Sequence, residues 1–126
     1  MKRDPEIERQ ILLTLEAWDN RSNRPDLSGI PADDFVVGYH LRLLNDVGLI
    51  QAADTPHLQD RFAMIPIRLT MHGHEYLDRV RDPEIWRETK SAADSVGNFS
   101  LELLSALAKG FVKKKVEQHT GVELDL

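Results

Sequence analysis

Three groups of side chains in this sequence have types and spacings that chemistry can use. His72, His74, Glu75 and Asp78 fall close together, and His74 and Asp78 stand one helical turn apart, as two zinc ligands on a helix do. The second histidine of an H-E-x-x-H pattern is missing. No third ligand lies at useful spacing, because His119 belongs to another helix, so no metal is expected; Gly73 reads instead as a point of close approach to a neighbouring element. The second group is Phe35, Tyr39 and Arg42 on one side of a helix, with Arg61 and Arg68 further along. On double-stranded DNA, Phe35, Tyr39 and Arg42 would enter the major groove, with Arg42 reading guanine in a bidentate contact and Arg61 and Arg68 meeting phosphate or the minor groove. The alternative is that Phe35 and Tyr39 pack against a second subunit while Arg42 pairs with Asp46 one turn on. Lys109, Lys113, Lys114 and Lys115 form the third group, a basic cluster that favours a helix C-terminus and also suits an acidic partner.

The remaining signals narrow the classes of function. The chain has no G-x-x-x-x-G-K-[ST], G-x-S-x-G or G-x-G-x-x-G motif, so no enzyme and no cofactor are expected. Trp18, Trp86, Tyr39 and Tyr76 are too scattered to form a stacking platform for single strands. There is no cysteine among the 126 residues, which excludes disulfides and thiolate chemistry and agrees with a reducing compartment. No apolar run reaches the length of a signal peptide or a membrane span, so a cytoplasmic protein without membrane contact is expected. The net charge is −5. Residues 1–82 carry 10 Lys/Arg against 14 Asp/Glu and residues 83–126 carry 6 against 7, so any surface for DNA has to be a local patch.

The elements that position these groups can be read from their boundaries. Asp4-Pro5-Glu6 opens a helix whose Ile7, Ile11, Leu12, Leu15 and Trp18 recur every three or four residues. A polar loop over 20–26 follows, and 27–30 is short enough for a small first strand closed by Pro31. Asp33 or Asp34 caps a second helix, with Val36, Val37, His40, Leu41, Leu43, Leu44 and Val47 assigned to its buried side and Phe35, Gly38, Tyr39, Arg42 and Asn45 to the other. His40, on that apolar side, is expected to bond to backbone. Gly48 stops the helix, Leu49 and Ile50 begin a strand, 53–61 is a loop, and 62–69 is a returning strand. Simple alternation sets Met64 and Pro66 opposite Ile65, Ile67 and Leu69. Thr70 caps a third helix. Asp82-Pro83-Glu84 repeats the opening signal and starts a fourth, which fades through 91–97, and Ser100 caps a last helix with a broad apolar face of Leu101, Leu104, Leu107, Ala108, Phe111, Val112 and Val116.

From Val37 to Val80 this order, with H-L-R-L-L-N-D-V-G-L-I at His40–Ile50 and L-T-x-x-G-x-x-x-L after the second strand, resembles the second half of a MarR- or PadR-type winged helix. Over nearly its full length the chain also resembles short prophage-associated bacterial proteins of unassigned function that begin Met-Lys-Arg-Asp. The shared blocks are His40–Ile50, Ile65–Asp78, Arg81–Trp86 and the lysine-ended helix at Lys109–Lys115. The resemblance implies a winged-helix fold and a phage-linked setting. The chain departs from winged-helix repressors in having no apolar-periodic helix between Trp18 and Asp34, and in placing Asp33 and Asp34 where DNA phosphate would approach.

The expectation is therefore a mainly α protein with a small antiparallel β-sheet: a winged-helix-like domain over 1–82, and a C-terminal helical extension over 83–126 packing on it or on a second subunit. Its function is expected to be DNA binding or transcription regulation. The alternative is a non-enzymatic protein-interaction module that keeps the winged fold without DNA affinity. A homodimer is expected in either case.

Overall fold

The structure, a computed structural model, describes residues 1–21, 23–55 and 62–126. Its described elements are five helices, α1 (Pro5–Ala17), α2 (Asp34–Asp46), α3 (Met71–Val80), α4 (Pro83–Ser95) and α5 (Leu101–Thr120), and a two-stranded antiparallel sheet, β1 (Ile50–Asp54) with β2 (Met64–Leu69). The helix starts fall where capping side chains stand. Asp4, Asp33, Asp82 and Ser100 accept backbone N–H bonds from Glu6, Val36, Glu84 and Leu103 at 2.9–3.2 Å, satisfying donors that a helix leaves open. Thr70 does the same for Gly73 at 3.1 Å and donates its hydroxyl proton to the Gly48 carbonyl, which pins the start of α3 to the turn that ends α2. Gly48 takes φ +77°, so α2 stops and the chain passes directly into β1.

Two compact units divide the chain, Met1–Leu77 and Asp78–Leu126. In the first, Ile7, Ile11, Leu12 and Leu15 of α1 and Val37, Leu41 and Leu44 of α2 are buried, together with Leu49, Ile50, Met64 and Leu69 of the ribbon. Each such side chain contributes roughly 1.5–3 kcal/mol when fully removed from water. His40 sits fully buried among them, with Nδ1 2.8 Å from the Val36 carbonyl and Nε2 2.8 Å from the backbone N–H of Asp4. One partner only accepts and the other only donates, so the ring is the neutral tautomer carrying its proton on Nδ1. His40 thus bonds to backbone as its apolar setting implied, and it ties α2 to the cap of α1.

Beside that cap lies a charged cluster. Glu8 is 3% exposed and takes Arg3 at 2.7 Å, and Arg9 is also buried. The Tyr76 hydroxyl has no hydrogen-bond partner among the described residues; burial, reinforced by the Glu8 charge, pushes its ionisation well above the usual phenol range.

Several sequence expectations are corrected. Residues 27–30 form a turn, not a strand: the Ser28 N–H and hydroxyl both donate to Asp26 Oδ1, and Ile30 N–H reaches the Leu27 carbonyl at 3.2 Å. These local bonds use the polar groups a strand would offer, while Leu27 and Ile30 anchor the turn in the core. Val47, assigned to the buried side of α2, is 57% exposed because it stands at the C-cap, where the chain leaves the helix. Gly38, assigned to the other side, is buried.

The ribbon does not alternate simply either. Gln51 pairs with Arg68 and Ala52 with Pro66, so Ile67 is an extra residue and Leu69 joins Met64 and Pro66 in being buried. Helix α4 runs on to Ser95 rather than fading over 91–97. In the second unit, Ile85, Trp86, Thr89 and Ala93 of α4 and Leu104 and Ala108 of α5 are buried, with Leu101, Leu107, Phe111, Val112 and Val116 half-buried.

Candidate functional site

Helix α2 brings Phe35, Tyr39 and Arg42 along one edge at i, i+4 and i+7, and the chain just before β2 comes down beside them. The close approach is possible because residue 38 is glycine: a Cβ there would lie 2.2 Å from the Phe62 carbonyl oxygen, so any side chain would push the segment away. The result is a groove of about 450 Å³ lined by Asp34, Phe35, Gly38, Tyr39, Arg42, Phe62 and Ala63. Phe35 is 74% exposed at its mouth. Tyr39 is half-buried and meets the His40 ring edge-on at a centroid separation of 5.9 Å.

The charges of this groove are arranged differently from the sequence reading. Arg42 does not pair with Asp46 on its own helix; its Nη2 lies 2.6 Å from Oδ1 of Asp54, at the end of β1. Both side chains are largely exposed, so the bond adds little stability, but it pairs the only cation among the described residues that line the groove. Asp33 and Asp34 stand at the other end, Asp33 as the cap. Among the described residues, the groove is therefore aromatic in its middle, with the Arg42–Asp54 pair at one end and Asp33 and Asp34 at the other.

The remaining candidates are placed apart from it. Arg68 lies on β2, where its Nε donates to the Gln51 side chain at 2.9 Å and its Nη1 to the Leu69 carbonyl at 3.1 Å, so it braces the ribbon. Arg61 lies outside the described residues, as do residues 56–61 of the expected loop. In the second unit, Lys115 is bonded to Asp82 and approaches Glu84 at 3.9 Å. Lys109 and Lys114 are exposed and Lys113 half-buried, with no ion pair to any described residue. His72, His74 and Asp78 are exposed on α3, and Asp78 takes Arg81 at 2.8 Å. Gly73 between the histidines serves packing, since a Cβ there would lie 2.0 Å from the Leu49 carbonyl oxygen.

Sequence reasoning missed two residues that hold the ribbon beside α2. A bulge leaves backbone groups without ladder partners, and here side chains from outside the sheet supply them. Asn45 Oδ1 accepts from Ala52 N–H at 2.9 Å, and Asn20, at φ 64°, donates to the Ile67 carbonyl at 2.7 Å. A polar residue at the end of a helix and another in a loop gave no signal of this, because the bulge itself is invisible to alternation.

A helix, a two-stranded ribbon and a second helix thus follow one another, with a groove between the first helix and the returning chain. Residues 2–99 match the family described as Hypothetical protein (DUF2513), and the chain belongs to that family. It is also 34% identical over 118 residues, covering 90% of this chain and 98% of the relative, to an "Uncharacterized protein" of Haemophilus influenzae (strain ATCC 51907 / DSM 11121 / KW20 / Rd). No solved structure matches the chain. Among the described residues, no helix is long and apolar enough to cross a membrane.

Proposed function

We propose that α2, the ribbon and the start of α3 form a winged-helix-type module whose α2 groove docks a protein segment, without enzymatic chemistry. The observation that carries this reading is the Arg42–Asp54 pair. A reader of DNA needs cations free to neutralise phosphate, whereas this groove offers Phe35, Tyr39 and Phe62 beside Asp34, with its arginine neutralised from within. Aromatic side chains that keep exposed area at the mouth of a groove are the usual anchors of protein contacts. The net charge of −5 points the same way.

One observation favours the second reading, double-stranded DNA: α2 precedes the ribbon directly and presents Phe35, Tyr39 and Arg42 in line, as a recognition helix before a wing does.

A photo-crosslinking residue placed at position 35 tests the two readings in the cell that makes the protein, with position 47, exposed but outside the groove lining, as the control. Protein docking gives a discrete protein adduct from position 35 and none from position 47. Failure to trap protein from position 35, together with binding of random duplex at low salt that Arg42→Glu abolishes, would overturn the proposal in favour of DNA.

A further inference from the structure

We infer that the segment docked in the α2 groove is α2 of a second copy of this chain, with Phe35 of each copy seated in the groove of the other. This inference rests on the protein-docking reading above and names its partner.

The recess and a side chain that fits it stand on the same helix. Among the described residues, Phe35 is the most exposed large apolar side chain, at 74%, and it projects at the mouth of a groove of about 450 Å³ whose lining includes Gly38, Tyr39, Phe62 and Ala63. Its own chain leaves the ring in water, although an aromatic ring is among the largest apolar contributions a side chain brings to an interface. A two-fold contact requires a patch that is its own complement, because whatever a residue touches across the axis touches it in return. A projecting ring beside an apolar recess meets that condition. Both halves of the contact lie within the Met1–Leu77 unit.

The spacing along α2 sets the register. Phe35 and Arg42 stand two turns apart, with Gly38 and Tyr39 midway between them. Antiparallel α2 helices related by an axis at that midpoint bring Phe35 of one copy level with Arg42 of the other, and the contact is made twice. Arg42 suits an aromatic neighbour even though it is paired. Its Nη2 bonds Asp54 through an N–H that lies in the guanidinium plane, which leaves the face of the plane for a ring to stack on. The bond that withholds Arg42 from phosphate thus holds its flat face in place for Phe35. No free carboxylate takes part, so the contact is apolar and nearly indifferent to salt. The groove lining is small against the roughly 20–30 residues a side of a standard interface, so the expected dimer is weak, with a Kd of roughly micromolar order.

The test combines sedimentation equilibrium on the full chain with a benzophenone photo-crosslinker at position 35, which keeps an aromatic ring there. Wild type is expected to show a reversible monomer–dimer equilibrium that salt barely moves. Phe35→Ala, at a position exposed enough to leave the melting temperature of the monomer unchanged, weakens association by roughly tenfold or more. Arg42→Lys keeps the charge but loses the flat face, and weakens it as well. When copies carrying the crosslinker are mixed with isotope-labelled copies that lack it, the adduct maps to the labelled chain at Tyr39, Arg42 or Phe62. A wild type monomeric up to roughly millimolar concentration, a dimer that Phe35→Ala leaves unchanged, or adducts that map outside the groove each overturn the inference. A monomer whose position 35 still traps a different protein in cells removes the second copy as partner and leaves the docking groove standing. No protein adduct from position 35 removes both.

Discussion

At the scale of single residues, the buried polar groups separate those that hold the fold from those that merely sit in it. His40 accepts the Asp4 N–H at the cap of α1, so His40→Leu, of similar volume, leaves that donor without its partner. The expected loss is about 1–3 kcal/mol by urea unfolding, with faster exchange of the Asp4 amide. Tyr76 is the opposite case. Its hydroxyl is buried without a partner among the described residues, so Tyr76→Phe should leave stability unchanged or raise it by up to about 1 kcal/mol in the same assay.

The Lys115–Asp82 pair carries a pH signature. The bond from Lys115, followed by the Glu84 N–H, holds the Asp82 carboxyl below its ordinary value of 3.8, and the bond to Asp82 raises Lys115 above 10.5. A depressed carboxylate stabilises the fold above its unfolded pKa and loses that contribution as pH falls through the folded one. A raised amine stabilises below its unfolded pKa and loses the contribution as pH rises through the folded one. Asp82→Asn retains a capping side chain but removes the charge, so its melting temperature should fall below that of wild type near neutrality and converge on it in acid. A gap that persists at low pH would assign the effect to capping alone.

Among the elements, the glycines of α2, α3 and α5 make contrasting predictions that a propensity scale alone would miss. Replacing any helical glycine with alanine favours the isolated helix by up to about 1 kcal/mol. At Gly38 and Gly73 the new Cβ meets backbone carbonyls at 2.2 and 2.0 Å, so Gly38→Ala and Gly73→Ala should cost roughly 1–3 kcal/mol in thermal or urea unfolding. Gly110 in α5 has open space around it, and Gly110→Ala should stabilise by about 0.4–1 kcal/mol. Equal effects at all three positions would contradict the close approach that forms the groove.

The helix starts were legible because Asp4, Asp33, Asp82 and Ser100 act within a turn of themselves, and so was the Gly48 break. The bulge at Ile67, the turn at 27–30 and the Arg42–Asp54 bond were not. The bulge and the arginine depend on partners supplied from elsewhere, Asn20 and Asn45 for the bulge and β1 for the arginine, while the turn rests on local bonds to Asp26 that apolar patterning does not register.

For the molecule as a whole, the proposed docking of protein rather than DNA rests on charge and exposed aromatic surface. The order of elements, read as sequence, favours a recognition helix and wing. The side chains on that framework favour protein, because the cation that would read a base is bound by a carboxylate and the neighbouring surface is aromatic. Sequence analysis located the face, at Phe35, Tyr39 and Arg42, since helical spacing is local. It could not determine the electrostatic character of that face, because Asp54 approaches Arg42 only once the ribbon has folded back on α2.

The most direct measurement of that claim is the affinity for random duplex DNA at low salt, comparing wild type, Arg42→Glu and Asp54→Asn. Wild type and Arg42→Glu are expected to bind negligibly and alike, while Asp54→Asn, which releases the Arg42 guanidinium, gains affinity that declines with salt. Salt-sensitive binding by wild type that disappears in Arg42→Glu would show that the arginine already serves phosphate or base, and would contradict the account.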